Sequence, residues 1–211
     1  MLFGVADGVG GLPGGGEAAQ LAVETVSAAA RSDLADGHLD LRAAVQLANR
    51  KVLELGQQIS PSMGIGTTLT LGCLRDNTLI IAHVGDSRCY GSRSGVFARL
   101  TEDHSVENEA RLRRARGEVI HYHEVNRNAL TRCIGQPTPP EVDLITRPLK
   151  AGDRYIFCSD GVTRMLPDSE LGTLLMKFPD PRSAIKDIIN VAVRRGGPDN
   201  ASAVSVFIDS V

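Results

Sequence analysis

Long hydrophobic runs are missing from this chain: no apolar stretch approaches the roughly 20 residues that a membrane-spanning helix requires. The N-terminus also lacks the charged region and cleavage pattern of a secretory signal. These absences lead to the expectation of a soluble, cytoplasmic protein with no membrane partner. An excess of charge of one sign is missing too. The formal net charge is −2, with acids and bases interspersed, so no broad positive field gathers nucleic acid, and no such partner is expected. Cysteine is sparse: Cys73, Cys89, Cys133 and Cys158 stand far apart and form no C-x-x-C pair. Reduced, buried thiols are expected in place of a disulfide framework or a zinc site. Internal repeats, linkers and low-complexity segments are absent as well, and 211 residues suit a single domain spanning 1–211.

What the chain does have is aspartate beside glycine at the ends of apolar runs. Phe3-Gly4-Val5-Ala6-Asp7-Gly8-Val9-Gly10-Gly11 opens as a buried strand and stops at a carboxylate, where glycines let the backbone turn and free the Gly8 carbonyl. Tyr155 to Gly161 repeats the device around Asp160. So does Gly196-Gly197-Pro198-Asp199-Asn200, followed by the apolar run Ala203 to Ile208. A fourth acid, Asp86, ends the run Leu79 to Val84. Taken singly, an Asp-Gly pair is most often a turn, Asp199 has the option of capping one, and Asp86 that of pairing with Arg88. Three repeats of the arrangement point instead to one shared site for a hard cation.

Periodicity supplies the frame. Apolar residues at helical spacing predict one helix after the loop Gly10 to Gly16 and a second from Leu41 to Ile59, ended by Pro61. The loop before them lacks the Lys-Ser/Thr that closes a phosphate-binding P-loop. From Thr67 the period becomes two, and a turn at Asp76-Asn77 leads into Leu79 to Val84, a hairpin whose second strand is apolar on both faces and therefore central. Val96 to Leu100 reads as a third hairpin arm. Ser105 to Arg116 reads as a charged helix, and the polar, aperiodic stretch to Pro140 as a flap over about 105–140. Strands at Val142 to Ile145 and Arg154 to Ser159, helices near 168–176 and 181–195, and a last strand Ala203 to Ile208 complete the chain. This order predicts a mostly antiparallel α+β layered structure. His83 reads as a satisfied core residue, His104, His121 and His123 as surface or flap residues, and Thr67 and Thr68 as strand packing.

Two-metal hydrolases hold divalent ions roughly 3.5–4 Å apart so that an activated water attacks phosphorus, which calls for several carboxylates and no nucleophilic side chain. Asp7, Asp160 and Asp199 meet that requirement. With no cysteine or histidine cluster, the oxygen donors favour magnesium or manganese over zinc. An aspartyl-phosphate mechanism on Asp7 is less suited, because no second aspartate follows two residues later.

DGVGG, HVGDSR, LTEDHS, RNALTRCIG, FCSDGV and GGPDNAS occur in this order, and over Phe3 to about Ile208 the chain resembles the type 2C metal-dependent serine/threonine protein phosphatases, especially their bacterial branch. The resemblance implies a four-layer α-β-β-α sandwich of two mostly antiparallel sheets flanked by helices. It implies that Asp7 bridges two ions, that the Gly8 carbonyl ligates one, that Asp160 and Asp199 complete the other, and that Asp86 with Asp160 holds a third. It also implies a phosphorylated protein substrate, an opposing serine/threonine kinase and a monomer.

The sequence departs from that family in three places. An earlier strand with an R-x-x-N-E-D-like motif, whose arginine binds the substrate phosphate, is not found before Phe3. The expectation is either a natural start further upstream or a real loss, with an N-terminally short domain in both cases. Val9 stands where some relatives have a histidine proposed as general acid, which leaves that role to water or an unidentified group. Arg164 stands where the family commonly has an acid. The leading expectation is a phosphatase acting on phosphoserine and phosphothreonine, with impairment in this chain the expected effect of the missing first-strand motif. The alternative is a catalytically weak type 2C-like module that binds metal or phosphoprotein in a regulatory role. Substrate choice is expected in the flap and the basic run Arg111 to Arg116.

Overall fold

The structure is a computed structural model that describes residues 1–197 and 199–211; Pro198, in the third of the aspartate turns, lies outside the described residues. The elements run β1 (Leu2–Val5), α1 (Gly15–Ala35), α2 (Leu41–Ile59), β2 (Leu69–Arg75), β3 (Thr78–Val84), β4 (Arg88–Arg93), β5 (Val96–Arg99), α3 (Val106–Ala115), a 3-10 turn at Glu124–Asn126, β6 (Asp143–Pro148), β7 (Arg154–Cys158), α4 (Asp160–Thr163), α5 (Asp168–Lys177), α6 (Pro181–Arg194) and β8 (Ala203–Phe207). Two four-stranded sheets result, ordered β1-β2-β3-β6 and β5-β4-β7-β8, with every strand pairing antiparallel.

Three apolar clusters separate four layers. Ala22, Val26, Val45, Ala48 and Val52 of α1 and α2 pack on Leu69, Leu71 and Cys73 of β2. Leu79, Ile81, Cys89, Tyr155 and Phe157 fill the space between the sheets, where Phe3 meets Phe157 edge to face at 5.3 Å. Leu171, Leu175, Ala184 and Ile188 of α5 and α6 close over Ile156 and Cys158. The expected α-β-β-α sandwich is thus the observed one. β3 lies between β2 and β6, as its two-sided apolar character requires. Asp76 and Asn77 both take positive φ, the geometry of a tight hairpin turn.

Three readings change. Val96–Arg99 is not a third arm of the first hairpin: after Val84 the chain crosses to the second sheet, where β5 pairs with β4, a strand whose sequence RCYGSR shows no apolar alternation. Asp160 does not end a strand but opens α4, one turn long, after β7 has closed at Cys158. His104 is not a surface residue; it is 6% exposed and buried against the sheet end.

Topology decides where the acids go. β1 and β3 both pair antiparallel with β2, so they run in the same direction and end together, Val5 opposite Thr70 and Val84 opposite Leu69. Asp7 and Asp86 follow those ends. In the other sheet Cys158 at the end of β7 pairs with Ala203 at the start of β8, which brings Asp160 towards Asp199.

Candidate metal centre

Asp7, Gly8, Asp86, Asp160 and Asp199 line one cavity of about 510 Å³, together with Val9, Thr68, Arg164 and the flap residues Asn128, Leu130, Cys133 and Gln136. All five positions singled out in the sequence are brought to one place. A second cleft, about 590 Å³, lies beside α3 and is lined by residues that include Glu102, His104, Arg113, Arg132 and Asp143. Most of its acids are matched by arginines: Glu118 by Arg113, Asp143 by Arg132, Glu102 by Arg111 and Asp103 by Arg88. Chemistry, not size, separates the two. The basic run Arg111 to Arg116 borders this second cleft and not the acidic cavity, whereas the flap contributes to both.

Asp7 is fixed by its backbone. Its N–H donates to Thr68 Oγ1 at 3.1 Å, and its carbonyl accepts from Thr68 N–H at 2.8 Å and Thr67 Oγ1 at 2.9 Å. Thr68 Oγ1 in turn lies 2.8 Å from Ser87 Oγ, beside Asp86. Thr67 also pairs with Ile134 of the flap through both of its backbone groups, at 3.1 and 2.8 Å. Thr67 and Thr68 therefore do more than pack. Their signal in the sequence is a pair of hydroxyls placed immediately before the apolar strand β2.

Two histidines extend this frame. The Glu102 carbonyl can only accept, so His83 Nε2 donates to it at 2.8 Å and Nδ1 accepts from the Thr70 hydroxyl at 2.8 Å. Burial, reinforced by His104, holds His83 at about 4 and neutral. His104 Nδ1 accepts from the Gly85 N–H at 3.1 Å, and its backbone N–H donates to the Gly85 carbonyl at 2.8 Å. This clamp grips the residue before Asp86, a glycine at φ 114°, a conformation that side chains disfavour. His83 is the satisfied core residue that was expected; His121 and His123 are exposed.

The acids strain against one another. Burial first, then the charges of Asp160 and Asp199, a hydrogen bond with Asp160 and the charge of Asp86, push the Asp7 carboxyl up to about 7. Burial and the neighbouring Asp160 push Asp86 up to about 6, with Arg164 pulling the other way. Asp86 does not pair with Arg88, which forks onto Asp103 at 2.6 to 3.1 Å. Asp199 does serve its turn, accepting from Asn200 N–H at 2.8 Å, but its other oxygen faces Arg164.

These residues suit hard divalent ions. Four carboxylates supply hard oxygen donors, repulsion among them calls for positive charge, and Asp160 Oδ1 is buried with no hydrogen-bond partner among the described residues. Among the described residues no three His, Cys, Asp or Glu side chains already form a closed ligand cluster. Arg164 is the cation in place: Nη2 stands 2.5 Å from Asp160 Oδ2 and Nη1 3.7 Å from Asp199 Oδ2.

Layering and acidic cleft together define the class of metal-dependent phosphatases. The profile of the protein phosphatase 2C family matches residues 1–201. The serine/threonine phosphatase stp of Listeria monocytogenes is 32% identical over 213 residues, which span 97% of this chain and 83% of that protein. Among solved structures, the S. agalactiae serine/threonine phosphatase superposes with a TM-score of 0.80 at 32% identity, covering 96% of this chain and 85% of that one. The catalytic domain of the phosphatase PstP in complex with two manganese ions gives 0.81 at 29% identity, covering 99% and 88%. The chain belongs to the protein phosphatase 2C family.

Proposed function

We propose that this chain is a single catalytic domain that hydrolyses phosphoserine and phosphothreonine in proteins, with the segment about 105–140 as a flap at its site. The observation that carries this reading is the convergence of four carboxylates from both sheets on one cavity wall. Magnesium or manganese, two ions and a third more weakly held, supply when bound the Lewis acidity that activates a water and neutralises phosphoryl charge. Asp7, with the Gly8 carbonyl, Asp160 and Asp199, would hold the two principal ions, and Asp86 with Asp160 would hold the third.

The protein's own part is positioning. Thr67 and Thr68 fix the Asp7 backbone from both sides, so its carboxylate stays aimed as charge around it changes. Val9 lines the cavity, and no histidine is among the described lining residues, so the proton for the leaving oxygen comes from water or from another group at the site. Relatives named as phosphatases favour this reading over a non-catalytic regulatory module. A kinase-opposing role, a monomeric state and a cytoplasmic location accompany the proposal; no helix is long and apolar enough to cross a membrane.

The test is hydrolysis of p-nitrophenyl phosphate and a phosphothreonine peptide with manganese, with chelator, and by Asp160→Asn. Turnover that needs manganese and falls at least about 100-fold in the variant is expected. Turnover unaffected by chelator or by Asp160→Asn overturns the reading.

A further inference from the structure

Arg164 is the one basic side chain among the described residues lining the acidic cavity. It follows directly on α4, so its backbone is tied to the metal-site residue four positions earlier: Arg164 N–H donates to the Asp160 carbonyl at 2.8 Å. Its side chain is 42% exposed and spans from Asp160 to Asp199 at the cavity wall. The guanidinium therefore sits half-exposed on the cavity wall, on a flexible stem, and among the described residues its polar partners are carboxylates.

Those carboxylates are the groups that divalent ions take. Four carboxylates against one guanidinium leave the wall strongly negative, and two divalent ions reverse its sign. A guanidinium beside bound divalent ions is repelled from its former partners. The anion then available in the cavity is the phosphoryl group, whose oxygens match the planar donor fork of arginine. We propose that Arg164 is a substrate-binding residue of this chain: it exchanges the carboxylates of Asp160 and Asp199 for the phosphoryl oxygens once the ions are in place. The inference rests on the metallophosphatase reading and assigns to that site a phosphate contact made from α4.

Two consequences oppose each other and identify the exchange. Removing the guanidinium frees Asp160 and Asp199, so manganese binds more tightly. The same removal deprives the loaded site of a contact, so phosphate binds more weakly. A guanidinium with a purely structural role, bracing α4 against the loop before β8, predicts that both affinities fall together.

The experiment is calorimetry of manganese binding to wild type, Arg164→Ala and Arg164→Lys. Inorganic phosphate is then titrated into each manganese-saturated protein, with folding checked by circular dichroism. Expected are manganese affinity higher by about threefold in Arg164→Ala and phosphate affinity lower by about tenfold, with Arg164→Lys between, since lysine keeps the charge without the fork. In turnover the contact appears as a KM for the phosphopeptide raised about tenfold with kcat changed less than about threefold. Equal phosphate affinity in wild type and Arg164→Ala overturns the proposal, as does a wild type that binds no phosphate. Absence of manganese-dependent hydrolysis in wild type counts against the phosphatase reading instead, and the phosphate titration still decides the role of Arg164.

Discussion

Replacing Thr68 by valine tests whether Asp7 is held by buried hydroxyls. Thr68 is 2% exposed, and its hydroxyl receives the Asp7 N–H at 3.1 Å and meets Ser87 Oγ at 2.8 Å. Valine keeps the branched shape, so cavity formation contributes little and the loss is confined to polar partners. Two groups are stranded, the Asp7 N–H and Ser87 Oγ, each costing about 1–3 kcal/mol once buried without a partner. A combined destabilisation of about 2–6 kcal/mol follows. Ser87→Ala is milder, about 1 kcal/mol, because Thr68 still accepts from Asp7. The double variant should cost less than the sum of the two by about 1 kcal/mol, since Ser87 is no longer left unpaired. Urea unfolding with chelator present measures all three without any contribution from bound ions. In calorimetry Thr68→Val should also weaken manganese binding by about tenfold, the usual cost of losing a group that orients a ligand. A cost for Thr68→Val below about 0.5 kcal/mol, or strictly additive costs, refutes the idea that the hydroxyl chain holds Asp7 in place.

Three further outcomes are expected. His83 is held at about 4 against 6.5 in an unfolded chain. Between those values the unfolded state binds the extra proton, so stability is full above pH 6.5 and falls on acidification, by about 2.5 kcal/mol at pH 4.5. Urea unfolding should show the advantage of wild type over His83→Asn shrinking by that amount from pH 7.5 to pH 4.5. Asp7 is shifted the other way, from 3.8 to about 7, so its repulsions cost stability as pH rises through that window. Manganese relieves them, and the rise in Tm on adding it should grow from pH 5.5 to pH 8, with about 2.7 kcal/mol of stabilisation at 100 times Kd. Gly161→Ala places a Cβ against the Asn200 backbone carbonyl, which cannot move without displacing Asp199. A loss of about 2–3 kcal/mol in urea unfolding and weaker manganese binding in calorimetry are expected.

Most of the fold was legible because its elements differ in period. α1 and α2 carry long apolar stripes, β2 alternates, β3 is apolar on both faces, and Asp76-Asn77 supplies turn chemistry between them. β4 was not legible: Arg88, Gly91, Ser92 and Arg93 leave almost no apolar pattern, and the strand exists because β5 and β7 pair with it on either side. α4 is one turn long, too short to show a helical period. The burial of His104 is illegible in the sequence for a different reason. Periodicity reports apolar burial, whereas a buried polar residue is decided by partners distant in sequence, here Gly85 at 19 positions and Asp143 at 39. The hydroxyl frame of Asp7 joins residues 60 and 61 positions apart and left no local trace.

The acids themselves were legible as a pattern, but the sequence does not tell a site carboxylate from a structural one, since Asp153 is as buried as any of them. The difference lies in how each negative charge is met. Burial by itself would raise Asp153, yet the Arg93 fork at 2.6 and 2.8 Å, together with the Lys150 N–H and the Tyr155 hydroxyl, outweighs it and holds the carboxyl below its ordinary range. Asp103 likewise has its own arginine, Arg88. Asp7 and Asp86 have no paired arginine among the described residues: hydroxyls, backbone amides and further carboxylates lie around them, the charge of Arg164 only partly offsets the rise at Asp86, and both are pushed upward. A dedicated arginine on Asp7 would stabilise the fold and occupy the position a divalent ion must take. Uncharged anchors fix the carboxylate while leaving its charge unmet, which is the condition for binding ions there. Arg164 fits the same logic, because it shares two carboxylates at unequal distances on a half-exposed stem and gives ground to a doubly charged competitor.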